Sequence, residues 1–353
     1  MIIKLKWVVV LEAIVIFFLL IIIINSYSKN SKSENLKPIA EVKKQNSTRL
    51  LSSRVYSGLL EPKSLLIVNF GPLGEKIEEY VAKNNLSISV YILNMRDGAS
   101  FGLNEKKVFL PASLNKVPVA ILTIRKIERG ELSFDTVLEI KDSDRTDTFG
   151  NLYQTKEKKL PLRFVLEKML KESDNTAFRM LQRYIDPEDL KFFLGYLGYN
   201  SKDISVEYPN KNIDEKNQFV NVKSMYNLFS SLYLSTLLEP HDSEYILSLL
   251  TDTVFPIKKL AELPDNVVVA QKFGAEYIDN TKYFHSCGII YINESRIFYC
   301  IMTEGVEQNK AIKAIAYIVN IAHKYVTDVR AELDTYKDSS NYESNYIKQE
   351  KQS

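Results

Sequence analysis

Strand-type and helix-type patterns follow one another along this chain in an order that restricts the fold. A hydrophobic segment at 87–98 ends in an Asp-Gly turn, and the segment 101–111 is its predicted hairpin partner. Three further β-rich runs, joined by turn residues, lie within 266–305, and only helix-type patterns separate the two groups. Strands from both ends of the chain therefore predict an α+β fold with one antiparallel sheet, and not a repeated βαβ unit.

Helix-type patterns flank and separate these strands. In the first of them, Ile77, Tyr80 and Val81 fall on one face at helical spacing. Pro118 stands early in the helix that follows the hairpin, where its missing N–H is tolerated. The helical patterns lie at 74–85, 113–130, 160–185 (two helices with a polar corner), 222–238 and 309–326. They predict helices packed on the sheet and an inserted all-helical subdomain.

The N-terminal part of the chain has a different character. Residues 7–24 are apolar except for Glu12, and a helix of this length crosses the hydrocarbon core of a bilayer. The polar sequence NSYSKNSKSEN follows without a small-residue cleavage site, which favours an uncleaved transmembrane signal anchor. Lysines stand on both sides of the run, so the positive-inside rule gives no orientation.

These patterns divide the chain into four parts. Residues 1–27 form a short stub and the transmembrane signal anchor, and residues 28–65 form a polar linker. Residues 66–328 form the folded domain. Residues 329–353 are a polar, charged tail that we predict to be disordered.

The chain carries little that would bind nucleic acid, a metal or a nucleotide. Its formal net charge is only +2, so no strong basic field attracts nucleic acid. The three histidines, His241, His285 and His323, are scattered, which disfavours a multi-histidine metal site. The glycine patterns of nucleotide-binding loops do not occur. We therefore predict no nucleic-acid partner, no metal and no cofactor.

Three short polar motifs stand out in the folded domain. They are Ser113-Leu114-Asn115-Lys116, Ser173-Asp174-Asn175 and Lys272-Phe273-Gly274. Each has an ordinary structural explanation: a helix cap, an Asx turn or cap centred on Asp174, and a solvated charge at a strand end. The glycine of the third motif also indicates a close approach of another backbone or a ligand.

The first motif has the composition of a nucleophile with its base. Ser113 and Lys116 are spaced i, i+3, so a helix brings the amine to the hydroxyl. A serine hydroxyl is a weak nucleophile until a base takes its proton, and a lysine can be that base when its pKa is lowered. The helix N-terminus also favours an oxyanion that develops beside Ser113.

In this order, the motifs resemble the Ser-x-x-Lys, Ser-Asp-Asn and Lys-Thr-Gly signature of class A β-lactamases and penicillin-binding proteins. The surrounding sequences FLPASLNKVPVAILTIRKIERGELSFDT, SDNTAFRML and VAQKFGA are similar to that family as well, and the resemblance covers residues 70–327. It implies the split-sheet fold of these serine hydrolases for the folded domain. It also implies three catalytic residues, Ser113, Lys116 and Ser173, and four substrate-binding residues, Asn175, Lys272, Gly274 and Ala275.

The resemblance further implies a role for each of these residues. Ser173 would pass a proton to the leaving nitrogen, assisted by Lys272, which also attracts the substrate carboxylate. Asn175 would hold the amide of the substrate side chain. The backbone N–H of Ala275 would be the second oxyanion donor, and Gly274 would let the acyl group lie flat against the strand.

The chain departs from the family pattern at two places. Phe273 stands where the family has a hydroxyl residue that helps to bind the substrate carboxylate, and the loss of such a bond costs about 1.5–3 kcal/mol. The segment 201–219 lacks the family's Glu-x-x-Leu-Asn pattern, whose Glu activates the deacylating water. Glu207 is the nearest candidate for that Glu, and the alternative is a surface carboxylate in a polar loop.

The resemblance implies a serine acyl-transfer hydrolase that opens β-lactam amides through a Ser113 acyl-enzyme. One alternative is a D-Ala-D-Ala peptidase or penicillin-binding protein with slow deacylation, and another is a catalytically inactive cell-wall-binding module. The partners are then a β-lactam or an acyl-D-Ala-D-Ala peptide, and a lipid bilayer through residues 7–24. Because these substrates lie outside the cytoplasm, we expect a single-pass protein of the cell membrane with a cytoplasmic N-terminus and an extracytoplasmic catalytic domain.

The two cysteines fall on successive predicted strands. Cys287 and Cys300 are near enough in register to face each other, and an exported domain permits a disulfide between them. Free cysteines are nevertheless among the most buried residue types. We favour the interpretation as buried free thiols.

Overall fold

The computed structural model describes residues 69–198, 219–292 and 295–350, with side chains described up to residue 329. It contains a five-stranded and a two-stranded antiparallel sheet. The strands are β1 (Ile88–Asn94), β2 (Ser100–Leu103), β3 (Val137–Glu139), β4 (Lys159–Pro161), β5 (Val268–Ile278), β6 (Thr281–Ile292) and β7 (Ser295–Glu304). The large sheet has the order β2-β1-β7-β6-β5, so it joins strands from both ends of the domain, and the predicted α+β fold is confirmed.

Helices pack on this sheet and fill the interval between its two groups of strands. They are α1 (Gly71–Lys83), α2 (Lys116–Glu128), α3 (Leu162–Lys171), α4 (Asn175–Gln182), α5 (Pro187–Tyr196), α6 (Val222–Tyr233), α7 (Pro240–Thr251), α8 (Ile257–Leu260) and α9 (Gln308–Glu350). Among its described residues the inserted block also contains the short hairpin β3–β4, which is not predicted from the sequence.

The last helix is longer than the sequence predicts. It extends past residue 326 to Glu350, so the segment 329–350 is helical in the structure, whereas we predict a disordered tail there. The sequence from 306 onwards contains neither Gly nor Pro, the residues that most often end a helix, which is the physical reason for the extension.

The large sheet separates two apolar cores, and β7 shows the pattern most clearly. Ile297 and Ile301 pack in one core with α1 and α9, whereas Phe298 and Met302 pack in the other with the helical block. This alternation is the two-residue period of a strand. Because both faces of the strand are buried, its sequence reads as a continuous hydrophobic run.

The two cysteines form a disulfide bond in the structure, so our preference for free thiols was wrong. Cys287 and Cys300 are direct cross-strand partners on β6 and β7, with their Cα atoms 4.0 Å apart. The sequence predicts that the two strands are neighbours, but it does not fix their register. A slip of one residue would have turned one of the two side chains to the opposite face.

No helix within 69–198, 219–292 or 295–350 is both long enough and apolar enough to cross a membrane. The predicted anchor at 7–24 and the predicted linker at 28–65 lie outside these ranges. The four-part division of the chain stays a prediction.

Candidate active site

Ser113 lies in a tight 3-10 turn, Ala112–Asn115, that leads directly into α2. Ala112 has a φ of +49°, a left-handed conformation that bends the chain sharply before the turn. Lys116 is the first residue of α2 and is almost fully buried, and its Nζ donates a hydrogen bond of 2.8 Å to Ser113 Oγ. Pro118 falls in the first turn of α2, where a backbone N–H has no partner within the helix, so the proline is tolerated as predicted.

We call the turn Ala112–Asn115 the nucleophile turn. The amine of Lys116 joins it to Ser173, in the second motif, 57 residues further along the chain. It donates to the backbone oxygen of Ser173 at 2.7 Å, to Ser173 Oγ at 3.2 Å and to Asn175 Oδ1 at 2.5 Å. Together with Ser113 Oγ, four oxygens of the described residues accept from an amine that holds at most three protons. The site is therefore a shared network and not a single serine–lysine pair.

A buried carboxylate holds the second motif in place. Asp174 Oδ1 accepts a hydrogen bond of 2.9 Å from the N–H of Ala177 and caps α4, as the ordinary structural explanation predicts. Its Oδ2 accepts from the N–H of Leu152 at 2.8 Å. Ser173 has a φ of +56°, which turns the chain immediately before the cap. These bonds fix the direction of the Ser173 and Asn175 side chains.

Lys272 reaches the same point from the far end of the chain. It lies on β5, is completely buried, and its Nζ donates to Ser173 Oγ at 2.8 Å and to the Phe273 oxygen at 2.9 Å. Burial, with the nearby charge of Lys116, holds the pKa of the Lys272 amine well below its usual range. An amine whose pKa is lowered gives up its proton more readily, so it can take part in proton transfer.

Gly274 brings β5 against the nucleophile turn. A Cβ atom at this position would lie 2.9 Å from the Pro111 oxygen and 3.2 Å from the backbone nitrogen of Ser113. Both of these atoms belong to the backbone, so any larger residue would push the strand and the turn apart. The close backbone approach that the sequence predicts here is confirmed.

A cavity of about 300 Å³ joins these groups. Ser113, Lys116, Ser173, Asn175 and Ala275 line it. Lys272 donates a hydrogen bond to Ser173 Oγ, and Gly274 packs against the backbone of Ser113. The structure therefore brings all seven of the predicted site residues together. The roles implied for them stay predictions.

Several other residues that are not predicted from the sequence also line the cavity. Phe178, Arg179 and Gln182 follow Asn175 at i+3, i+4 and i+7 on α4, so helical spacing from Asn175 is the signal that could have found them. Phe149 and Glu276 also line the cavity. Neither has a comparable signal in the sequence.

Phe273 is packed in an aromatic cluster beside the site. Only 5% of its surface is exposed, and its ring centroid lies 5.7 Å from that of Phe149 and 5.5 Å from that of Phe255. The ring of Phe273 cannot donate the hydrogen bond that a hydroxyl residue at this position of the family would offer. Glu207, the candidate for the water-activating carboxylate, lies outside the described residues.

His285 connects the sheet to the segment that leads into the nucleophile turn. The N–H of Thr303 donates to its Nδ1 at 3.3 Å, so the ring proton is on Nε2, which donates to the Leu110 oxygen at 2.8 Å. His285 is also the cross-strand partner of Gly274. It is completely buried, and this burial lowers its pKa from 6.5 to about 4.

The lowered pKa of His285 predicts a loss of stability in mild acid. Between pH 6.5 and 4 the unfolded chain takes up a proton at this histidine that the folded protein does not. The contribution of His285 to the free energy of unfolding is therefore fully present above pH 6.5 and is lost as the pH falls towards 4. From pH 7 to pH 5 we expect wild type to lose about 2 kcal/mol more unfolding free energy than His285→Gln. Urea titrations at both pH values measure this difference. The exposed His241→Gln is the control, and equal pH slopes for wild type and His285→Gln would contradict the prediction.

Comparison with known proteins identifies a family and several relatives of this chain. A family model described as the β-lactamase enzyme family matches residues 72–326. The β-lactamase VEB-1 of Pseudomonas aeruginosa is 25% identical in an alignment 265 residues long, which covers 71% of this chain and 89% of that protein. The extended-spectrum β-lactamase PER-1 of the same organism is 22% identical over 77% of this chain and 96% of its own length.

Solved structures share the fold. The structure of PBP-A superposes with a TM-score of 0.65 at 19% identity, over 74% of this chain and 98% of that one. The TLA-1 extended-spectrum β-lactamase superposes with a TM-score of 0.65 at 20% identity, over 73% and 99% of the two chains. At these identities the likeness concerns the arrangement of helices and strands.

Proposed function

The chain belongs to the β-lactamase enzyme family, and we propose that it opens β-lactam amides by acyl transfer to Ser113. It is a serine β-lactamase-like hydrolase. The observation that carries the proposal is the chain of hydrogen bonds from Ser113 Oγ through Lys116 Nζ and Ser173 Oγ to Lys272 Nζ, beside one cavity. These are the groups that an acyl transfer with two proton transfers requires.

Acylation begins at the Ser113 hydroxyl. Lys116, in its neutral form, takes the hydroxyl proton while Oγ attacks the carbonyl carbon of the lactam, and the carbonyl π electrons move to its oxygen. The backbone N–H groups of Ser113 and Ala275 would donate to this oxyanion. The close approach of β5 at Gly274 supports this pairing, since it brings the strand to the backbone of the nucleophile turn.

The second half of acylation breaks the carbon–nitrogen bond. As the oxyanion collapses, the leaving nitrogen takes a proton from Ser173 Oγ and the ester on Ser113 remains. Ser173 then recovers the proton that Lys116 took from Ser113, because the Lys116 amine contacts Ser173 Oγ, while Lys272 assists by its hydrogen bond to the same oxygen. The proton removed from Ser113 thereby reaches the leaving nitrogen, so the step is balanced.

A second candidate function differs in the fate of the ester and in the natural substrate. The segment 201–219 lacks the Glu-x-x-Leu-Asn pattern, and PBP-A is among the solved structures with this fold. A chain without a carboxylate to activate water would keep the acyl group, as a penicillin-binding protein or D-Ala-D-Ala peptidase with slow deacylation. Its substrate would then be an acyl-D-Ala-D-Ala peptide.

We also propose a location that suits either substrate. The apolar run at 7–24 would anchor the protein in the cell membrane as a single-pass signal anchor. The N-terminus would be cytoplasmic and the catalytic domain extracytoplasmic, because β-lactams and cell-wall peptides are met on that side. The polar linker at 28–65 would separate the domain from the bilayer.

Intact-mass spectrometry over time after mixing with benzylpenicillin tests the proposed reaction. We expect an adduct of one opened penicillin per chain that disappears as hydrolysed product accumulates. If Glu207 activates the water, Glu207→Gln should convert this transient adduct into a persistent one. A persistent adduct on wild type would favour the second candidate. The absence of an adduct, of hydrolysis and of peptidase activity would contradict both and favour an inactive wall-binding module.

A further inference from the structure

One wall of the active-site cavity is a continuous stripe of α4. Asn175, Phe178, Arg179 and Gln182 occupy positions i, i+3, i+4 and i+7 of this helix, and all four line the cavity. The helix begins at the corner that holds Ser173 and runs away from it. By the rise of a helix, Arg179 and Gln182 lie about 6 and 10 Å further along the axis than Asn175.

Two hydrogen-bond donors on this stripe have no acceptor within the described parts of the chain. Arg179 is half-buried, and its guanidinium makes no ion pair or hydrogen bond there. Gln182 is 95% buried, and its Nε2 is inaccessible to solvent and unpaired among those same residues. Buried donors without partners are uncommon in folded proteins. Gln182 Nε2 is such a donor, and the half-buried guanidinium of Arg179, unpaired among the described residues, lies on the same cavity wall. Together the two side chains indicate a ligand that brings oxygen acceptors.

The charges around the cavity point to an anion at this wall. Lys116 and Arg179 line it as basic residues, whereas Glu276 on β5 is the one acidic residue in the described lining. One oxygen of Glu276 accepts the backbone N–H of Tyr277, and its carboxylate does not pair with Arg179 within 4 Å. The guanidinium of Arg179 presents five donors in a planar fork, and this arrangement matches a carboxylate better than any neutral group.

The direction of the reaction places this anion on the acyl side of the substrate. The leaving nitrogen must face Ser173, which supplies its proton, and the ring carboxylate of a penicillin travels with that nitrogen. The acyl substituent extends from the carbonyl carbon away from the leaving group. A substituent that follows α4 away from Ser173 meets Arg179 and then Gln182.

We propose that Arg179, supported by Gln182, binds a carboxylate on the acyl substituent of the substrate, so that the enzyme selects acyl groups with an anionic side chain. This inference rests on the proposed acyl transfer to Ser113. It concerns specificity, since neither residue contacts the groups that form or break bonds. The natural acyl donor would accordingly be one whose acyl part carries an acidic group.

Three penicillins that differ at one carbon test the selection. Benzylpenicillin has hydrogen beside the phenyl ring, carbenicillin has a carboxylate there and ampicillin has an ammonium group. The second-order rate constant of acylation is measured for each with the full-length protein by quenched intact-mass spectrometry. For Arg179→Gln we expect the carbenicillin-to-benzylpenicillin ratio to fall by about tenfold to a hundredfold, the range of a charge-assisted hydrogen bond. The ampicillin-to-benzylpenicillin ratio should rise.

Two further variants separate charge at this site from charge in general. Arg179→Lys keeps the charge and should retain part of the preference for carbenicillin. Arg129→Gln makes the same substitution at an exposed position of the chain that does not line the cavity, and should leave the ratio as in wild type. If Arg179→Gln does not fold, Gln182→Leu is measured in its place, with a severalfold decrease of the ratio expected.

The outcomes distinguish this inference from the proposed function. If the carbenicillin-to-benzylpenicillin ratio of Arg179→Gln equals that of wild type, the proposed binding of a carboxylate by this wall is overturned, and acyl transfer to Ser113 stands. The same conclusion applies to Gln182→Leu where Arg179→Gln does not fold. A wild-type protein that none of the three penicillins acylates would overturn both. A selective fall of the carbenicillin ratio supports both.

Discussion

Replacement of Ser113 by alanine is expected to abolish covalent labelling by penicillin and to lower acyl transfer by about 10⁴-fold or more, the usual effect of removing a catalytic nucleophile. The substitution removes the hydroxyl oxygen of Ser113, to which Lys116 donates a hydrogen bond. It deletes one oxygen atom from a site that is otherwise fixed by backbone and Asp174 contacts, so the fold should persist. Intact-mass spectrometry with benzylpenicillin measures the loss.

The control for this variant is Ser248→Ala, which removes an exposed hydroxyl of α7. It should be acylated at the wild-type rate. Thermal unfolding of both variants shows whether Ser113→Ala is folded when it fails to react. A folded Ser113→Ala protein that still gains one penicillin per chain would mean that another residue is the nucleophile.

Replacement of Lys116 by methionine is expected to slow acylation by about 10²–10⁴-fold, the usual contribution of a general base. Methionine keeps the buried volume and loses the amine that joins Ser113, Ser173 and Asn175. The rate of adduct formation over a range of penicillin concentrations measures this effect. Lys310→Met, at an exposed position of α9, is the matched control.

Lys116→Arg separates proton transfer from charge. A guanidinium stays protonated and cannot act as a base, so this variant should be as slow as Lys116→Met. Near-normal acylation by Lys116→Arg would show that the residue supplies only positive charge. Such a result would move the role of base to Lys272, the other amine that contacts Ser173 Oγ.

The local parts of the site could be predicted because short-range rules govern them. Ser113 and Lys116 meet because helical spacing brings positions i and i+3 together, and Asp174 caps the next helix as its position at a polar corner predicts. The meeting of Ser173 with Lys272, which is 99 residues away, depends on the whole topology. Only the family resemblance indicated it in advance.

The remaining features depend on register and on packing that a single sequence does not encode locally. The Cys287–Cys300 bond requires one register of β6 on β7 among several that would satisfy the hydrophobic pattern. Phe149 reaches the cavity from an irregular segment that carries no periodicity. Arg179 resembles any exposed arginine on an amphipathic helix until the cavity beside α4 is known.

We predict that the hydroxyl of Ser113 forms the ester. Digestion of the penicillin-treated protein, quenched within seconds and sequenced by tandem mass spectrometry, identifies the modified residue directly. We predict one opened penicillin on the peptide that contains residues 111–120, attached at Ser113. An adduct at Ser173, or at any residue outside this turn, would show that Ser113 is not the nucleophile.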